Sequence, residues 1–346
     1  MPIWRPGLSI RLLAVGLQGR SPPESLWPSV IGVANRSWLC PALFLALARS
    51  SRLDETPSEV RDYLAFFHER NLERNLRLRA QLIEAVSTLN GRDIIPVLLK
   101  GAGHIFCASD DNLGARMMRD LDLGVQPSEM DDAKVALEEL GYRSSANTRG
   151  MGRPQDVGLL ELRDRPGPLT KRYLSQDLTT LSQLVARDDA TTHLPSPTCR
   201  ALHLIVHDMI KEGDYWRCRM DLRHLHDLFE LSATAQGVDW FKIGGIMSDR
   251  VGRRALEVQM TALQDLFGVP SIPSELRGDT MAKLRHESRL VASTDHLVGA
   301  PVRMVGNLIW GLHRLSSADG YTWQGGLDLA VRISRTFLLP PRGSRL

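Results

Sequence analysis

The spacing of apolar residues predicts a mixed first half of the chain and a helical second half. From Glu59 to Asn90 apolar residues recur at helical spacing, which indicates one long amphipathic helix. Two apolar runs, "IIPVLLK" and "RDLDLGVQ", are typical of strands, and a glycine turn and a helix over "GAGHIFCA" separate them. An amphipathic pattern ending at Gly141 predicts another helix, and "QDVGLLELRD" predicts a third strand.

This order of elements is typical of a small α/β unit. From Leu181 onward the pattern is helical in successive stretches, so helices alone are expected there. We therefore predict an α/β (α+β) fold, in which a small mixed sheet is flanked by helices and followed by a C-terminal all-helical domain. The predicted division is 1–57 for an N-terminal tail with a short helix, 58–180 for the α/β domain and 181–346 for the helical domain.

Composition excludes few function classes, but it bears on the number of domains, the kind of partner and the redox compartment. The 346 residues suffice for two domains of about 100 to 200 residues each. Because 43 Lys and Arg residues nearly balance 40 Asp and Glu residues, charge argues against a long nucleic acid or a membrane surface as partner. Four scattered cysteines without a CxxC motif predict a reducing, cytoplasmic setting.

The N-terminal 25 residues do not have the pattern of a targeting segment. Arg11 interrupts their short apolar patch, and no cleavage site of small residues follows. No uncharged apolar run approaches the ~18 residues of a membrane span anywhere in the chain. We expect this segment to be a loose tail.

Two acids inside a predicted strand are the strongest chemical signal. In "RDLDLGVQ", Asp120 and Asp122 share one face of the strand, while Leu121 and Leu123 take the other. Two like charges side by side are costly to desolvate unless a cation neutralises them. Mg²⁺ is usually held by a few carboxylates together with substrate phosphates. The pair therefore indicates a site for a metal–triphosphate complex, the alternative being a solvent-facing strand edge that opposes aggregation.

Basic residues and a glycine turn lie close to this acid pair in sequence. Lys100 and Gly101 end the first strand before a helix, where backbone N–H groups can approach a phosphate. Arg116 and Arg119 precede the acids and are further candidates for phosphate contacts. A structural ion pair of Arg116 with one of the two aspartates is the competing interpretation.

A third carboxylate is available on the last predicted strand of the α/β unit. In "LLELRD" the candidate is Glu161, with Asp164 as the alternative. Two or three carboxylates around two metal ions can activate a hydroxyl and stabilise a leaving pyrophosphate.

These residues resemble the nucleotidyltransferase superfamily of the DNA polymerase β-like fold, whose members carry a glycine turn, a D-x-D strand and a third acid on another strand. More narrowly, the chain resembles an uncharacterised bacterial nucleotidyltransferase family from about Pro41 onward. The matching stretches are "LKG" at 99–101, Arg116 with "RDLD" at 119–122, "LLELRD" at 159–164 and "LHLIVHD" at 202–208. The superfamily's usual Gly-Ser turn is Lys-Gly here, which leaves Lys100 to replace the serine that contacts the γ-phosphate.

The resemblance implies a small mixed-sheet nucleotidyltransferase core and an enzyme that moves a nucleoside monophosphate from an NTP to a hydroxyl-bearing acceptor. The acceptor classes left open are a small molecule, a peptide, a protein side chain and RNA. The residues expected to be catalytic and to bind Mg²⁺ or Mn²⁺ are Asp120, Asp122 and Glu161. Those expected to bind the nucleotide phosphates are Lys100, Gly101, Arg116 and Arg119. A catalytically silent binding or regulatory protein with the same fold stays open because the serine is replaced.

Histidines in the second half support a third hypothesis. His203 and His207 lie four residues apart on one face of a predicted helix, and further residues of metal-ligand type follow: Asp208, Asp221, His224, His226 and Asp227. The whole group is compatible with a zinc or di-metal site, and His203, His207, His224 and Asp227 are compatible with a metal-dependent phosphohydrolase. The alternatives are that these histidines are packed in the core, or that His203 and His207 line a cleft facing the nucleotide.

Overall fold

A computed structural model of the chain describes residues 7–144, 150–167, 169–174, 179, 181–294 and 296–316. The helices α1 to α14 are, in chain order, Leu8–Leu17, Trp27–Arg36, Cys40–Arg49, Ser58–Asn90, Ala102–Cys107, Asp110–Leu113, Met130–Glu139, Pro197–Ile205, Asp214–Arg217, Leu222–Ser232, Trp240–Ile246, Arg250–Phe267, Thr280–Thr294 and His296–Ser316. The strands β1 to β7 are Val97–Leu99, Asp120–Gly124, Arg143–Ser144, Met151–Gly152, Leu159–Arg163, Ser182–Arg187 and Ala190–Pro195.

The strand that carries the two acids lies in the middle of the sheet. The order is β3-β4-β5-β2-β1-β7-β6, with β2 parallel to β5 and antiparallel to β1. The solvent-facing edge considered for Asp120 and Asp122 is therefore wrong. The predicted fold class, a mixed sheet with flanking helices and a helical C-terminal region, is confirmed.

The two faces of β2 have different environments because side chains alternate along a strand. Leu121 and Leu123 are buried in a hydrophobic core with residues of α4, α5 and α7. Asp122 and Gly124 line a cavity on the opposite side of the sheet. A second hydrophobic core joins α1, α2 and α3 to the helices that follow the sheet.

Two strands lie where the sequence analysis predicts helices alone. β6 and β7 form an antiparallel hairpin, and β7 pairs in parallel with β1 through His193 and Val97. The segment "SQLVARDDATTHLP" holds Val and Thr residues, which favour strands, and its turn residue Asp188 has a φ of 54°. The prediction of helices from Leu181 is wrong for these strands, and α8 begins only at Pro197. The three-part domain division stays a prediction.

The N-terminal helix packs into the helical core. Leu13 is 1% exposed, and Ile10 and Leu17 are also buried. Arg11, which interrupts the apolar patch in sequence, forms ion pairs with Asp265 on α12 and Glu287 on α13. The expectation of a loose tail is wrong for α1, and the first six residues of that predicted tail lie outside the described residues.

Buried polar side chains on α4 hold the segment that leads into β2. The Asn71 amide donates to the carbonyl of Gly114 at 2.7 Å. Asn75 donates to the carbonyls of Leu113 and Arg116 at 2.7 and 2.8 Å. Buried carbonyls need such donors, and residues four apart lie on one side of a helix, so α4 determines where β2 begins.

Replacing Leu13 by Ala tests whether α1 is an integral part of the fold. We expect Leu13→Ala to lower the free energy of unfolding by about 2 to 5 kcal/mol because it leaves a cavity in the core. The matched control, Leu8→Ala, changes a side chain that is 40% exposed on the same helix and should stay within about 0.5 kcal/mol. Urea unfolding measures both; equal effects of the two substitutions would show that α1 does not contribute to the core.

Candidate functional site

A cavity of about 1240 Å³ lies between the sheet and the helices that follow it. Its sheet wall includes Lys100, Asp122 and Arg163. Its helical wall is formed by α8, by the π-helical turn Val206–Lys211 that continues α8, and by α10. Basic side chains from both walls contribute to the lining, which suits an anionic ligand.

The Asp122 carboxylate is buried on the sheet wall and is neutralised by a lysine. Asp122 is 2% exposed, and Lys100 Nζ donates to both of its carboxylate oxygens at 2.9 Å. Nε of Arg163 lies 3.5 Å from one of these oxygens. Lys100 has a left-handed backbone with φ of 50°, which is unfavourable for a residue with a Cβ. The end of β1 is thus held in an uncommon conformation that places an ammonium beside the acid.

The other two predicted metal ligands lie next to Asp122 on the sheet. Glu161 on β5 is directly opposite Asp122 in the parallel register and forms an ion pair with Arg163. Asp120 begins β2 and has no ion pair or side-chain hydrogen bond within the described part of the chain. Asp122 and Asp164 line the cavity, whereas Asp120 and Glu161 are not among its lining residues. The choice between Glu161 and Asp164 stays a prediction.

Arg116 pairs with an acid from the helical region rather than with either strand aspartate. Its Nε lies 3.0 and 3.1 Å from the two carboxylate oxygens of Asp227 on α10, and its Nη2 lies 2.7 Å from one of them. Burial raises the pKa of Asp227, but the guanidinium outweighs this effect and holds the pKa well below its usual range. The predicted pairing with Asp120 or Asp122 is wrong. This ion pair connects the segment before β2 to α10 across the edge of the cavity.

Gly101 and Arg119, the remaining residues predicted to contact phosphate, do not line the cavity. Gly101 has an ordinary helical φ of −77°, and an added Cβ would overlap the side-chain ends of Arg116 and Met118, which would have to move. Arg119 is exposed, with its guanidinium 5.4 Å from the centre of the Trp38 ring. Lys100 and Arg116 line the cavity, and Gly101 and Arg119 are not among its lining residues.

The helical wall presents a polar stripe that includes a residue missed in the sequence analysis. Arg200, His203, His207 and Lys211 follow one side of α8 and the π-helical turn, and all four line the cavity. Arg200 has no ion pair or side-chain hydrogen bond within the described ranges, and burial lowers the pKa of its guanidinium. Polar residues at intervals of three to four in an otherwise apolar helix are the signal from which Arg200 was predictable.

His203 is a neutral cavity residue. Burial lowers the pKa of His203 to about 4, and the positive charges of His207 and Lys100 act in the same direction. The influence of Lys100 indicates that the helical wall faces the Lys100–Asp122 pair. The predicted cleft-lining positions of His203 and His207 are both found at the cavity.

A cluster of metal-ligand type forms within the helical wall from three of the histidines and aspartates singled out in the sequence. His207 Nδ1 and His224 Nδ1 lie 3.0 and 2.8 Å from the same carboxylate oxygen of Asp208. Burial raises the pKa of Asp208, yet the two histidines outweigh this effect and lower it to about 2. His203 lies outside this group, and Asp227 is paired with Arg116. The phosphohydrolase set proposed from sequence is therefore replaced by His207, Asp208 and His224.

Comparison with known proteins places the chain in a family. The model of the family described as "Uncharacterised nucleotidyltransferase" matches residues 23–268, which is more than half of the chain. The chain belongs to this nucleotidyltransferase family. Comparisons with curated proteins and with solved structures gave no match.

Membership of the nucleotidyltransferase family agrees with the resemblance inferred from the motifs and supports a general nucleotidyltransferase function. The matched residues include the acids of β2 and β5, the Lys100–Gly101 turn, and both α8 and α10. Both walls of the cavity therefore lie within the nucleotidyltransferase match. Among the described helices, none is both long and apolar enough to cross a membrane.

Asp227→Asn tests whether the pair with Arg116 stabilises this nucleotidyltransferase. Removing one partner of this largely buried pair leaves an uncompensated charge, so we expect the free energy of unfolding in urea at neutral pH to fall by about 3 kcal/mol, the low end for buried pairs. Glu230→Gln, an exposed acid on the same helix, is the control.

The stability contributed by the pair of Asp227 and Arg116 depends on pH, and comparison of the wild type with Asp227→Asn measures this dependence. Because the folded-state pKa of Asp227 is depressed, its contribution is complete above the ordinary value of 3.8 and is lost as pH falls below that value. The wild type should lose stability more steeply than Asp227→Asn in this range, with Asp208 keeping a smaller dependence in both. Parallel curves of unfolding free energy against pH for the wild type and Asp227→Asn would contradict the role assigned to the pair.

Proposed function

We propose that this protein transfers a nucleoside monophosphate from an NTP to the hydroxyl of an acceptor, with Mg²⁺ or Mn²⁺ bound by Asp120, Asp122 and Glu161. The observation that carries the proposal is the Asp122 carboxylate, which is buried, held by Lys100 and located on the wall of a large cavity. At about 1240 Å³ the cavity exceeds the ~300 to 1,000 Å³ common for small-molecule sites, so it has room for a nucleotide and an acceptor together.

The carboxylates present fit a hard divalent cation. Asp120 has no competing partner within the described ranges, and Glu161 lies in register with Asp122. Mg²⁺ prefers oxygen ligands of this kind, supplemented by substrate phosphates. When bound, the metal would neutralise charge on the triphosphate and favour ionisation of the acceptor hydroxyl.

The chain's own cations are placed to hold the triphosphate. Lys100 and Arg200 reach the cavity from opposite walls, one as a point charge and the other as a planar fork of N–H donors. In the transfer, the acceptor oxygen bonds to the α-phosphorus and the bond to the pyrophosphate oxygen breaks. We assign Glu161 to accept the hydroxyl proton, directly or through water. Orientation and charge neutralisation then account for most of the rate.

The proposed partners follow from the same chemistry. The acceptor is a small molecule, a peptide, a protein side chain or RNA, and the near-neutral net charge of +3 disfavours a long nucleic acid. All four cysteines are free, which agrees with the proposed cytoplasmic setting.

A catalytically silent nucleotide-binding protein is the second candidate. The observation that favours it is that the chain's own Lys100 and Arg163 form ion pairs with Asp122 and Glu161. Under this alternative NTP binds in the cavity without release of pyrophosphate. Binding and turnover therefore have to be measured separately.

Asp122→Asn and Glu161→Gln test the proposed metal-binding acids. We expect both substitutions to abolish Mg²⁺-dependent thermal stabilisation by NTPs. We also expect them to lower pyrophosphate release at least about 100-fold, because the negative charge on the reacting triphosphate is no longer neutralised by a bound metal. Asp164→Asn tests the alternative third acid, and Asp131→Asn changes an exposed acid on α7 as a control. Both of these should keep most of the activity. Wild-type behaviour of Asp122→Asn would refute the proposal, and binding without pyrophosphate release in the wild type would favour the silent protein.

Lys100→Met tests whether the lysine and the metal compete for Asp122. Without the ammonium, we expect Mg²⁺ alone to bind roughly tenfold more tightly, about 1.4 kcal/mol, while affinity for the NTP falls. Isothermal titration calorimetry measures both, and the control is Lys134→Met, which changes an exposed lysine on α7. Weaker Mg²⁺ binding by Lys100→Met would instead show that Lys100 supports the metal site.

A further inference from the structure

The helical wall contains a polar cluster that the proposed transfer does not use. Its members are His207 and Asp208 on the π-helical turn and His224 on α10. One ligand atom from each residue lies within 4.8 Å of the other two. His207 and His224 line the cavity, and Asp208 lies behind them at 3% exposure.

The π-helical turn brings two adjacent residues to the same point. The Glu212 N–H donates to the His207 carbonyl at 2.8 Å, five residues back instead of four, which widens the turn. Nδ1 of His207 consequently approaches the carboxylate of its neighbour Asp208 at 3.0 Å. Such local widening is frequent at functional sites.

One oxygen of the Asp208 carboxylate lacks a hydrogen-bond partner. Its Oδ1 lies within hydrogen-bond distance of both histidines, but its Oδ2 is buried and has no hydrogen-bond partner among the described residues. Asp221 adds a second carboxylate, 3.6 Å from Nδ1 of His224. The Asp208 carboxylate is thus buried with one oxygen unpaired, and a cation bound by its other oxygen and the two imidazoles would offset the cost of burying this negative charge.

We propose that His207, Asp208 and His224 bind one divalent transition-metal ion of the zinc class, separate from the cation proposed at Asp122. Two imidazoles and one carboxylate are a donor set typical of zinc sites that keep an open position. Ligand atoms around tetrahedral zinc are about 3.3 Å apart, so the N···O distances of 3.0 and 2.8 Å need to open by only a few tenths of an ångström.

Metal binding assigns a definite tautomer to each histidine. Each Nδ1 binds the metal through its lone pair and therefore carries no proton, so each neutral ring has its proton on Nε2. For His207 this proton faces Glu212, whose carboxylate is 3.8 Å away and can orient the ring. Arg223 lies 3.4 Å from Nε2 of His224 and has to turn away from it, into the cavity that it lines. The open metal position then faces the cavity, where it takes an anionic oxygen ligand.

Zinc titration of the full chain after chelator treatment tests this site. We expect the wild type to bind one equivalent at the cluster, and Asp122→Asn to keep that binding because its carboxylate lies on the other wall. His207→Gln and Asp208→Asn should each lose at least about tenfold in affinity. His203→Gln changes a cavity histidine outside the cluster and should leave the affinity unchanged. Co²⁺ gives a second readout, since nitrogen and oxygen ligands of low coordination number produce visible absorption bands.

The variants separate this site from the site of the proposed transfer. His207 is partly exposed, so His207→Gln carries the test if Asp208→Asn does not fold, as checked by circular dichroism. Absence of zinc binding in the wild type would overturn the inference, as would unchanged zinc affinity in His207→Gln. Zinc binding lost in Asp122→Asn but kept in His207→Gln would also overturn it. None of these results depends on NTP binding, which tests the proposed transfer.

Discussion

A carboxylate that is 2% exposed requires a positive charge beside it, and Lys100 supplies that charge to Asp122. Asp122 lies on β2, the central strand of the sheet, and Lys100 directly follows the neighbouring strand β1. The left-handed turn at Lys100 directs the lysine toward β2, while α4 determines where β2 begins. A cation that the protein itself provides gives the acid a stable resting partner. In the proposed transfer, the Lys100 ammonium is the group that the metal and the triphosphate would displace.

Much of the α/β unit was predictable from the spacing of apolar residues and from residue type, because these patterns lie within single helices and strands. The alternation of Asp and Leu in β2 correctly placed Leu121 in a core and Asp122 on the opposite face. The prediction of helices after residue 181 was wrong because β6 and β7 are half-exposed and lack a strict apolar alternation. Their place in the sheet depends on pairing with β1, which lies far away in sequence.

Other parts of the site depend on contacts that no local pattern reveals. The pair of Arg116 and Asp227 joins residues 111 positions apart, so a nearby aspartate was the natural but wrong expectation. Arg11 looked like an interruption of an apolar segment, yet its partners are on α12 and α13. Asp208 was a candidate ligand by residue type, but its contact with His207 was not predictable, because a regular helix directs adjacent residues apart and the widened turn is a tertiary feature. Arg200 was predictable from periodicity, because it lies three residues before His203 on the same polar side of α8.

In the proposed transfer, a metal-bound triphosphate takes the place of Lys100 at Asp122. The decisive measurement is a crystal structure of the protein with Mn²⁺ and a non-hydrolysable NTP analogue, in which anomalous scattering locates the Mn²⁺. We expect Mn²⁺ in contact with both the Asp122 carboxylate and a phosphate oxygen, with the Lys100 ammonium moved onto the triphosphate. A nucleotide in the cavity while Lys100 still contacts Asp122, with no Mn²⁺ at that carboxylate, would contradict it.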